Sequence, residues 1–140
     1  MNIKVKKLDE SLKDIGYAKD GDAGFDLHTR EEITLLPSVA TTVATGIALE
    51  IPDGFVGLVW DKSGLSIKNS LKVLGGVIDS GYRGEVMVGM INLGSESYTF
   101  AKGDKVAQMI IQKFEKANFE IVESLSETQR GDTGFGSSGK

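Results

Sequence analysis

The sequence predicts a single all-β domain, a jelly-roll-like sandwich or barrel with at most one short helix. Its 140 residues suit one compact domain. Short apolar segments alternate with turn residues at near-regular spacing, which is typical of sandwiches and barrels. The 18 glycines against two prolines favour many turns over long helices.

The first third of the chain shows strand patterns. IKVKKL at residues 3–8 alternates apolar and lysine side chains with the period of two expected for a half-buried strand. EITLLP at 32–37 and TTVATGIALEI at 41–51 continue in the same manner. PDG at 52–54 then predicts a turn, because proline presets its first central angle.

The middle of the chain contains nearly continuous apolar runs. FVGLVW at 55–60 and VMVGMIN at 86–92 are expected to be strands covered on both faces. Farther along, YTF at 98–100 and KVAQMIIQKF at 105–114 indicate two strands around a glycine turn.

Only one segment resembles a helix. SGLSIKNSL at 63–71 has apolar spacing for barely two turns, with Ser63 in a position to cap it. The chain ends differently, because SETQRGDTGFGSSGK at 126–140 has only Phe135 to bury. We therefore expect a core over 1–125 and a flexible glycine-rich arm over 126–140.

Composition limits the functional classes. The absence of cysteine excludes disulfides and thiolate metal sites, and any histidine-based triad must use His28, the only histidine. The net charge of −4 argues against generic nucleic-acid binding. No signal-peptide pattern or membrane-length apolar run is found, so a cytoplasmic protein without membrane contact is expected.

GGVIDSGYRGEV at 75–86 is the most informative short stretch. It places Asp79 at the end of an apolar run and Tyr82 three residues later, among glycines that allow a ligand close to the backbone. An exposed carboxylate here can act as a general base. Singly, however, Asp79 also suits a strand-end turn and Tyr82 suits a core position.

Three further polar residues have equally ordinary interpretations. Asp26 can close a turn, Ser63 can cap a helix, and Gln108 can be a satisfied polar residue in a strand, although a buried amide needs several partners. The arm can be plain disorder, or its glycine-rich backbone can cradle phosphates while Phe135 covers a base.

Taken together, five segments resemble the dUTPase family of homotrimeric deoxyuridine triphosphate pyrophosphatases. They are AGFDL at 23–27, DKSGLS at 61–66, GVIDSGYRGEV at 76–86, GDKVAQMII at 103–111 and RGDTGFGSSG at 130–139. Their order and spacing match the five motifs of the family over nearly the whole chain. The resemblance implies the β-clip fold of that family.

The resemblance also implies hydrolysis of dUTP to dUMP and pyrophosphate by water attack at the α-phosphorus, assisted by Mg²⁺. Such an activity limits uracil incorporation into DNA and supplies dUMP for dTMP synthesis. Asp79 would hold the attacking water and contact the 3′-hydroxyl. Tyr82 would pack under the deoxyribose and leave no space for a 2′-hydroxyl.

Other site residues follow from the same resemblance. Lys62, Ser63, Gly64, Gln108 and Arg130 would bind phosphates, and Asp26 would reach magnesium through its waters. Uracil would be read by the backbone of a hairpin over 71–77, with substrate contacts at Gly76, Val77, Phe135, Gly136 and Ser137. Phe135 would stack on the base, and the arm would close sites that lie at the interfaces of a homotrimer.

The chain departs from the family pattern at two places. Asp61 and Lys62 stand where the family usually has proline and arginine, and lysine lacks the bidentate fork of arginine. Gly81 stands where the third motif usually has aspartate, which is expected to reduce loop rigidity more than chemistry.

Two alternative functions remain at this stage. Deoxycytidine triphosphate deaminases share the fold, but their catalytic glutamate aligns with Gly89, and VMVGMIN contains no acid. A non-catalytic nucleotide-binding or signalling module is the other alternative. The intact set of motif residues argues against it.

Overall fold

The computed structural model describes residues 1–132 and confirms the all-β fold class with one short helix. In chain order the elements are β1 (Lys4–Lys7), β2 (Phe25–His28), β3 (Ile33–Leu35), β4 (Ala40–Glu50), β5 (Phe55–Trp60), α1 (Ser63–Asn69), β6 (Leu71–Leu74), β7 (Val77–Ile78), β8 (Glu85–Asn92), β9 (Tyr98–Phe100) and β10 (Lys105–Lys113).

The strands form two four-stranded sheets and a two-stranded one. The first sheet has the order β1-β4-β8-β6, the second has the order β2-β10-β5-β7, and β3 pairs with β9. Every pairing between named strands is antiparallel. Buried apolar side chains from both large sheets, such as Val43, Val86, Leu27 and Met109, form one core cluster.

The strands predicted by alternation are present, but the pairing of the last two differs from a simple hairpin. β9 pairs with β3, whereas β10 lies between β2 and β5. The turn between them contains Gly103 at φ 86°, a value that glycine adopts readily. This turn therefore carries the chain from one sheet to another.

The prediction that the apolar runs are covered on both faces is wrong for β8 within this chain. Val86 and Val88 are buried, while Met87 between them is 40% exposed. The strand alternates as a one-sided strand does, and its outer face is apolar. β5 likewise ends at Trp60, which is exposed.

The helix α1 starts differently from the prediction. Its N-cap is Lys62 in an extended conformation without a side-chain cap, and Ser63 is the first helical residue. Ser63 is therefore not the cap, because the chain leaves the extended conformation one residue earlier. The helix ends at Asn69, and its C-cap, Ser70, has a left-handed conformation. No helix among residues 1–132 is long and apolar enough to span a membrane.

Candidate active site

The second sheet brings four of the five motif segments onto neighbouring strands. Gln108 of β10 lies opposite Asp26 of β2 on one side and Trp60 of β5 on the other. This row joins the first, fourth and second segments, since Trp60 directly precedes Asp61. The third segment begins on β7, which pairs with β5.

Asp26 is the acidic centre of this row. Its carboxylate is 12% exposed and accepts hydrogen bonds from Lys62 on Oδ1 and from Lys105 on Oδ2, the latter at 2.6 Å. Burial alone would raise the pKa of Asp26, but the hydrogen bonds from Lys105 and Lys62 outweigh it and lower the pKa. Two lysines face one carboxylate, so the row attracts an anion better than a cation.

Gln108 is held next to this ion-pair cluster. Its Nε2 donates to the backbone oxygen of Asp61 at 2.8 Å, which gives the half-buried amide one of the partners it needs. Gly24 lies across from it, and a Cβ at that position would come within 3.0 Å of Gln108 Oε1. The glycine of the first segment therefore makes room for the glutamine of the fourth.

A cavity of about 220 Å³ opens beside the same row, between the end of β5 and the connection from β6 to β7. Its lining residues are Leu58, Val59, Trp60, Lys72, Val73, Gly75, Gly76 and Val77. It thus contains the segment predicted to read the base. Lys62, Ser63 and Gly64 follow Asp61 after the end of β5, and Ser63 and Gly64 are exposed.

The predicted hairpin over 71–77 is wrong as a paired hairpin. β6 pairs with β8 in the first sheet and β7 with β5 in the second, because the chain crosses between sheets at Gly75 and Gly76. Gly76 has φ 108°, its oxygen accepts from Val59 N at 2.8 Å, and a Cβ would lie 2.7 Å from Val59 O. Only glycine fits this crossing.

Asp79 and Tyr82 lie in the turn that follows β7. The backbone N–H of Tyr82 donates to the Asp79 carbonyl at 3.1 Å, and the Tyr82 hydroxyl donates to the Glu85 carbonyl at 2.9 Å. Gly84 packs against the ring, since a Cβ there would meet Tyr82 Cζ at 2.6 Å. The loop therefore fixes the tyrosine ring, while both side chains remain exposed.

The structure does not bring all the predicted site residues together within one chain. Ile78 lies opposite Gly57, three residues before Trp60, so the Asp79 end of β7 is about 10 Å from the Asp26 row along the strands. The chain therefore presents two groups, one around Asp79 and one around Asp26.

The residues of the arm are only partly described. Arg130 lies in an exposed stretch near the end of the described part. Phe135, Gly136 and Ser137 lie outside the described residues.

Sequence reasoning did not single out Lys105, nor did it assign a positive role to Asp61. Both residues belong to motif segments, and this membership was the one feature of the sequence that could have identified them. Their partners, Asp26 for Lys105 and Val73 for Asp61, follow from strand register and from contact between the two sheets. Neither is visible in a local pattern.

Comparisons with known proteins show the family of this chain. The family model described as dUTPase matches residues 10–139. The chain is 48% identical over 144 residues to the deoxyuridine 5′-triphosphate nucleotidohydrolase of Solibacter usitatus, covering 100% of this chain and 97% of that protein. It is 44% identical over 140 residues to the enzyme of that name from Clostridium tetani, with coverages of 99% and 97%.

Solved structures are similar as well. A mutant dUTPase of Staphylococcus bacteriophage 80alpha with dUpNHpp has a TM-score of 0.91 at 29% identity, with 99% of each chain covered. A mutant dUTPase from phage phi11 of S. aureus, described for its coordination of a structural Mg(II) ion, has a TM-score of 0.82 at 27% identity, covering 89% of this chain and 98% of that one. From its sequence, its fold and the arrangement of its motif residues, the chain belongs to the dUTPase family.

Proposed function

We propose that this chain hydrolyses dUTP to dUMP and pyrophosphate. The observation that carries the proposal is the cavity beside Gly76 and Val77, which is followed along the chain by Asp79 and the fixed ring of Tyr82. The names of the relatives and the nucleotide analogue in the bacteriophage 80alpha structure support the same substrate.

Asp79 is the proposed general base. It lies on an exposed turn, where a carboxylate can accept a proton from a water molecule directed at the α-phosphorus. The proton moves to Asp79 as the oxygen–phosphorus bond forms, and the bond from the α-phosphorus to the bridging oxygen breaks to release pyrophosphate. No covalent enzyme intermediate is needed.

Tyr82 is proposed to select deoxyribose over ribose. The hydroxyl bond to the Glu85 carbonyl and the contact with Gly84 hold the ring in one orientation. A fixed ring beside C2′ rejects a ribose by volume, because the additional hydroxyl has no space.

The triphosphate is proposed to bind at the group of residues around Asp26. Lys62 is held by Asp26, so an arriving phosphate would share its ammonium group. The phosphate contacts are assigned to Lys62, Ser63, Gly64, Gln108 and Arg130. With Lys105 close by, this set supplies the positive charge that a triphosphate needs.

Magnesium fits this site only as an ion carried by the substrate. Both oxygens of Asp26 are already hydrogen-bonded to lysines, and residues 1–132 contain no cluster of three acidic, histidine or cysteine side chains suited to a metal. Mg²⁺ keeps several waters and binds phosphates through few protein ligands. Asp26 would contact the ion through water, and the ion would neutralise charge on the triphosphate.

A homotrimer with sites between subunits is proposed for two reasons. The Asp79 and Asp26 groups are separated within one chain, and apolar side chains such as Phe119 and Ile121 are 94% and 100% exposed. Exposed apolar surface of this kind is typical of interfaces.

The arm, with Arg130, Phe135, Gly136 and Ser137, would then close the site. The proposed enzyme is cytoplasmic, limits the incorporation of uracil into DNA and supplies dUMP.

Pyrophosphate release tests the proposal most directly. The purified chain with Mg²⁺ is expected to release pyrophosphate from dUTP and to act much less on UTP, dCTP and dTTP. Ammonia release from dCTP would indicate the deaminase instead. Binding of dUTP without any turnover would indicate a non-catalytic module.

A further inference from the structure

The cavity beside β5 has walls from two different sheets. β6 is an edge strand of the first sheet, and β7 is an edge strand of the second sheet with β5 next to it. Val73 and Lys72 of β6 face Val59 and Trp60 of β5 across it. Since separate sheets share no ladder of backbone hydrogen bonds, the width of this gap depends on side-chain contacts between β5 and β6, which include the packing of Val59 and Val73 in the core.

Asp61 spans the gap. It directly follows β5, and its Oδ1 accepts the backbone N–H of Val73 at 2.6 Å while its Oδ2 accepts Lys72 Nζ at 2.8 Å. Lys72 Nζ also donates to the Val73 carbonyl at 3.2 Å. The Asp61–Lys72 pair thus satisfies both backbone groups of Val73 at the free edge of β6.

These bonds are of the stronger kind, because a charged carboxylate accepts them in a partly buried place. The Asp61 side chain is 22% exposed. A neutral carbonyl oxygen of a nucleobase is a weaker acceptor than a carboxylate, so substrate is not expected to displace Asp61 from Val73.

The same residue also touches the Asp26 row. Its backbone oxygen accepts Gln108 Nε2 at 2.8 Å, and the next residue, Lys62, is bonded to Asp26. Asp61 stands where the family pattern has proline, which has no carboxylate to offer. Members of the family with proline at this position therefore lack this side-chain bridge to β6.

We infer that Asp61 is a positioning residue that sets base selectivity by holding the β6 wall of the cavity at a fixed distance from β5. The inference rests on the proposed function, because it takes the cavity as the site of the uracil base. Asp61 acts through Val73 and Lys72 and does not itself touch the reacting atoms.

Fixed walls matter because uracil differs from its competitors by small groups. Thymine has an additional methyl group, and cytosine has an amino group in place of a carbonyl. A cavity that widens loses contact with uracil and admits the larger base, and one additional methylene group in an apolar pocket is worth about 10- to 200-fold in discrimination. Loss of Asp61 should therefore weaken binding of the base more than binding of the phosphates.

The experiment compares Asp61→Ala with a matched control, Asp9→Ala. Asp9 is 23% exposed, accepts the backbone N–H of Ser11 at 2.9 Å and pairs with Lys102 at 2.7 Å. The Asp9→Ala variant thus loses the same kinds of bond, but neither of its partners, Ser11 and Lys102, lines the cavity, whereas Lys72 and Val73, the partners of Asp61, do. If the two variants lose a similar amount of Tm, loss of stability cannot explain a difference between them in nucleotide binding.

For Asp61→Ala, the KM for dUTP and the inhibition constant of dUMP are expected to rise about tenfold, and the preference in kcat/KM for dUTP over dCTP and dTTP to fall about tenfold. The inhibition constant of pyrophosphate and kcat should change by less than about threefold. Asp61→Asn should restore most of the selectivity, because its amide oxygen can still accept from Val73. Asp9→Ala should leave all these quantities unchanged.

Binding can be followed without turnover. Trp60, the only tryptophan, lines the cavity, so its fluorescence reports dUMP binding. Hydrogen exchange of the Val73 amide should quicken in Asp61→Ala and not in Asp9→Ala, even if the wild-type chain failed to hydrolyse dUTP. An inactive wild type would thus contradict the proposed function and leave the bridge testable.

Three results would overturn the inference. One is unchanged base selectivity and dUMP affinity in Asp61→Ala. Another is an increase in dUTP affinity, which would mean that Asp61 blocks the base site. The third is an equal rise in the inhibition constants of dUMP and pyrophosphate, which would indicate general loosening.

Discussion

At the scale of single residues, the two aspartates proposed for the site differ in their surroundings. Both carboxylate oxygens of Asp26 are held by lysines. Asp79 is exposed, and among residues 1–132 its side chain forms no ion pair. A carboxylate that is not held in an ion pair can bind a water molecule, so Asp79 suits catalysis better than Asp26.

Asp79→Asn is expected to lower kcat by about 10²–10⁴-fold, the usual effect of losing a general base. The amide is nearly isosteric, so dUTP binding and Tm should be retained. Turnover measured by pyrophosphate release and binding measured by Trp60 fluorescence check both parts. Activity within a few-fold of the parent would exclude Asp79 as the base.

Tyr82→Ala is expected to narrow the preference for dUTP over UTP, because space opens beside C2′. Tyr82→Phe is the matched control, since it keeps the ring and loses only the hydroxyl bond to Glu85. The ratio of kcat/KM for the two nucleotides should fall strongly for alanine and slightly for phenylalanine. An unchanged ratio in the alanine variant would move sugar selection elsewhere.

His28 is expected to make stability depend on pH. Burial lowers its pKa below the ordinary 6.5, nearby Asp26 opposes this, and Lys105, Lys13 and Lys62 add to the lowering. The unfolded chain therefore binds the proton more readily than the folded one. The contribution is complete above pH 6.5 and is lost as the pH falls through the folded pKa.

His28→Gln should accordingly flatten the fall in the free energy of unfolding below pH 6.5, by no more than ~1.4 kcal/mol per pH unit for one proton. Urea unfolding at a series of pH values measures it. Asp26 remains in both proteins, so its own acid titration cancels in the comparison. Identical slopes for variant and parent would remove His28 as the cause.

At the scale of elements, the crossing from β6 to β7 is the most constrained connection. Gly75 and Gly76 both have positive φ, at 71° and 108°. Only Gly76 is also crowded, because no atom lies within 4 Å of a Cβ at Gly75. Substitution at Gly75 therefore tests backbone strain alone, whereas substitution at Gly76 adds a steric clash.

Gly75→Ala is expected to lower the free energy of unfolding by about 1–2 kcal/mol, the cost of a left-handed residue with a Cβ. Gly76→Ala should cost clearly more, because its Cβ would clash with the Val59 carbonyl at the wall of the cavity. It should also weaken dUMP binding. Chemical denaturation and Trp60 fluorescence measure these effects, and equal costs at the two positions would contradict the clash.

At the scale of the whole molecule, the end of the described chain lies outside the packed core. The last strand among residues 1–132 ends at Lys113, and every residue from 114 to 132 is exposed. This stretch includes Leu125, which is largely exposed. Its packing therefore contributes little to the stability of a single chain.

Deletion of residues 130–140 is expected to leave Tm nearly unchanged and to lower turnover by about 10²-fold or more, since donors to the terminal phosphates would be lost. Mixing this truncated protein with Asp79→Asn under subunit exchange should restore part of the activity, because a mixed trimer joins an intact Asp79 to an intact arm. Full activity of the truncated protein would make the arm dispensable. Failed rescue despite proven exchange would place each arm over its own Asp79.

The sequence alone was sufficient for the fold class and for the loop that carries Asp79 and Tyr82. Alternation within a strand and glycine at a turn are local properties, and the five ordered segments were enough to identify the family. The local start of α1 was missed, because Lys62 and Ser63 are both compatible with a helix boundary. β2 was also not singled out as a strand, and residues 71–77 were predicted as one hairpin, because a local pattern does not show that β6 and β7 join different sheets.

Only the tertiary structure decided which residues meet. Asp26 pairs with Lys62 and Lys105 because β10 lies between β2 and β5, and Asp61 reaches Val73 because two sheets face each other at the cavity. The same register separates Asp79 from the Asp26 group. Such contacts depend on strand order and register between distant segments, whereas the sequence pattern records only how each segment alternates along its own length.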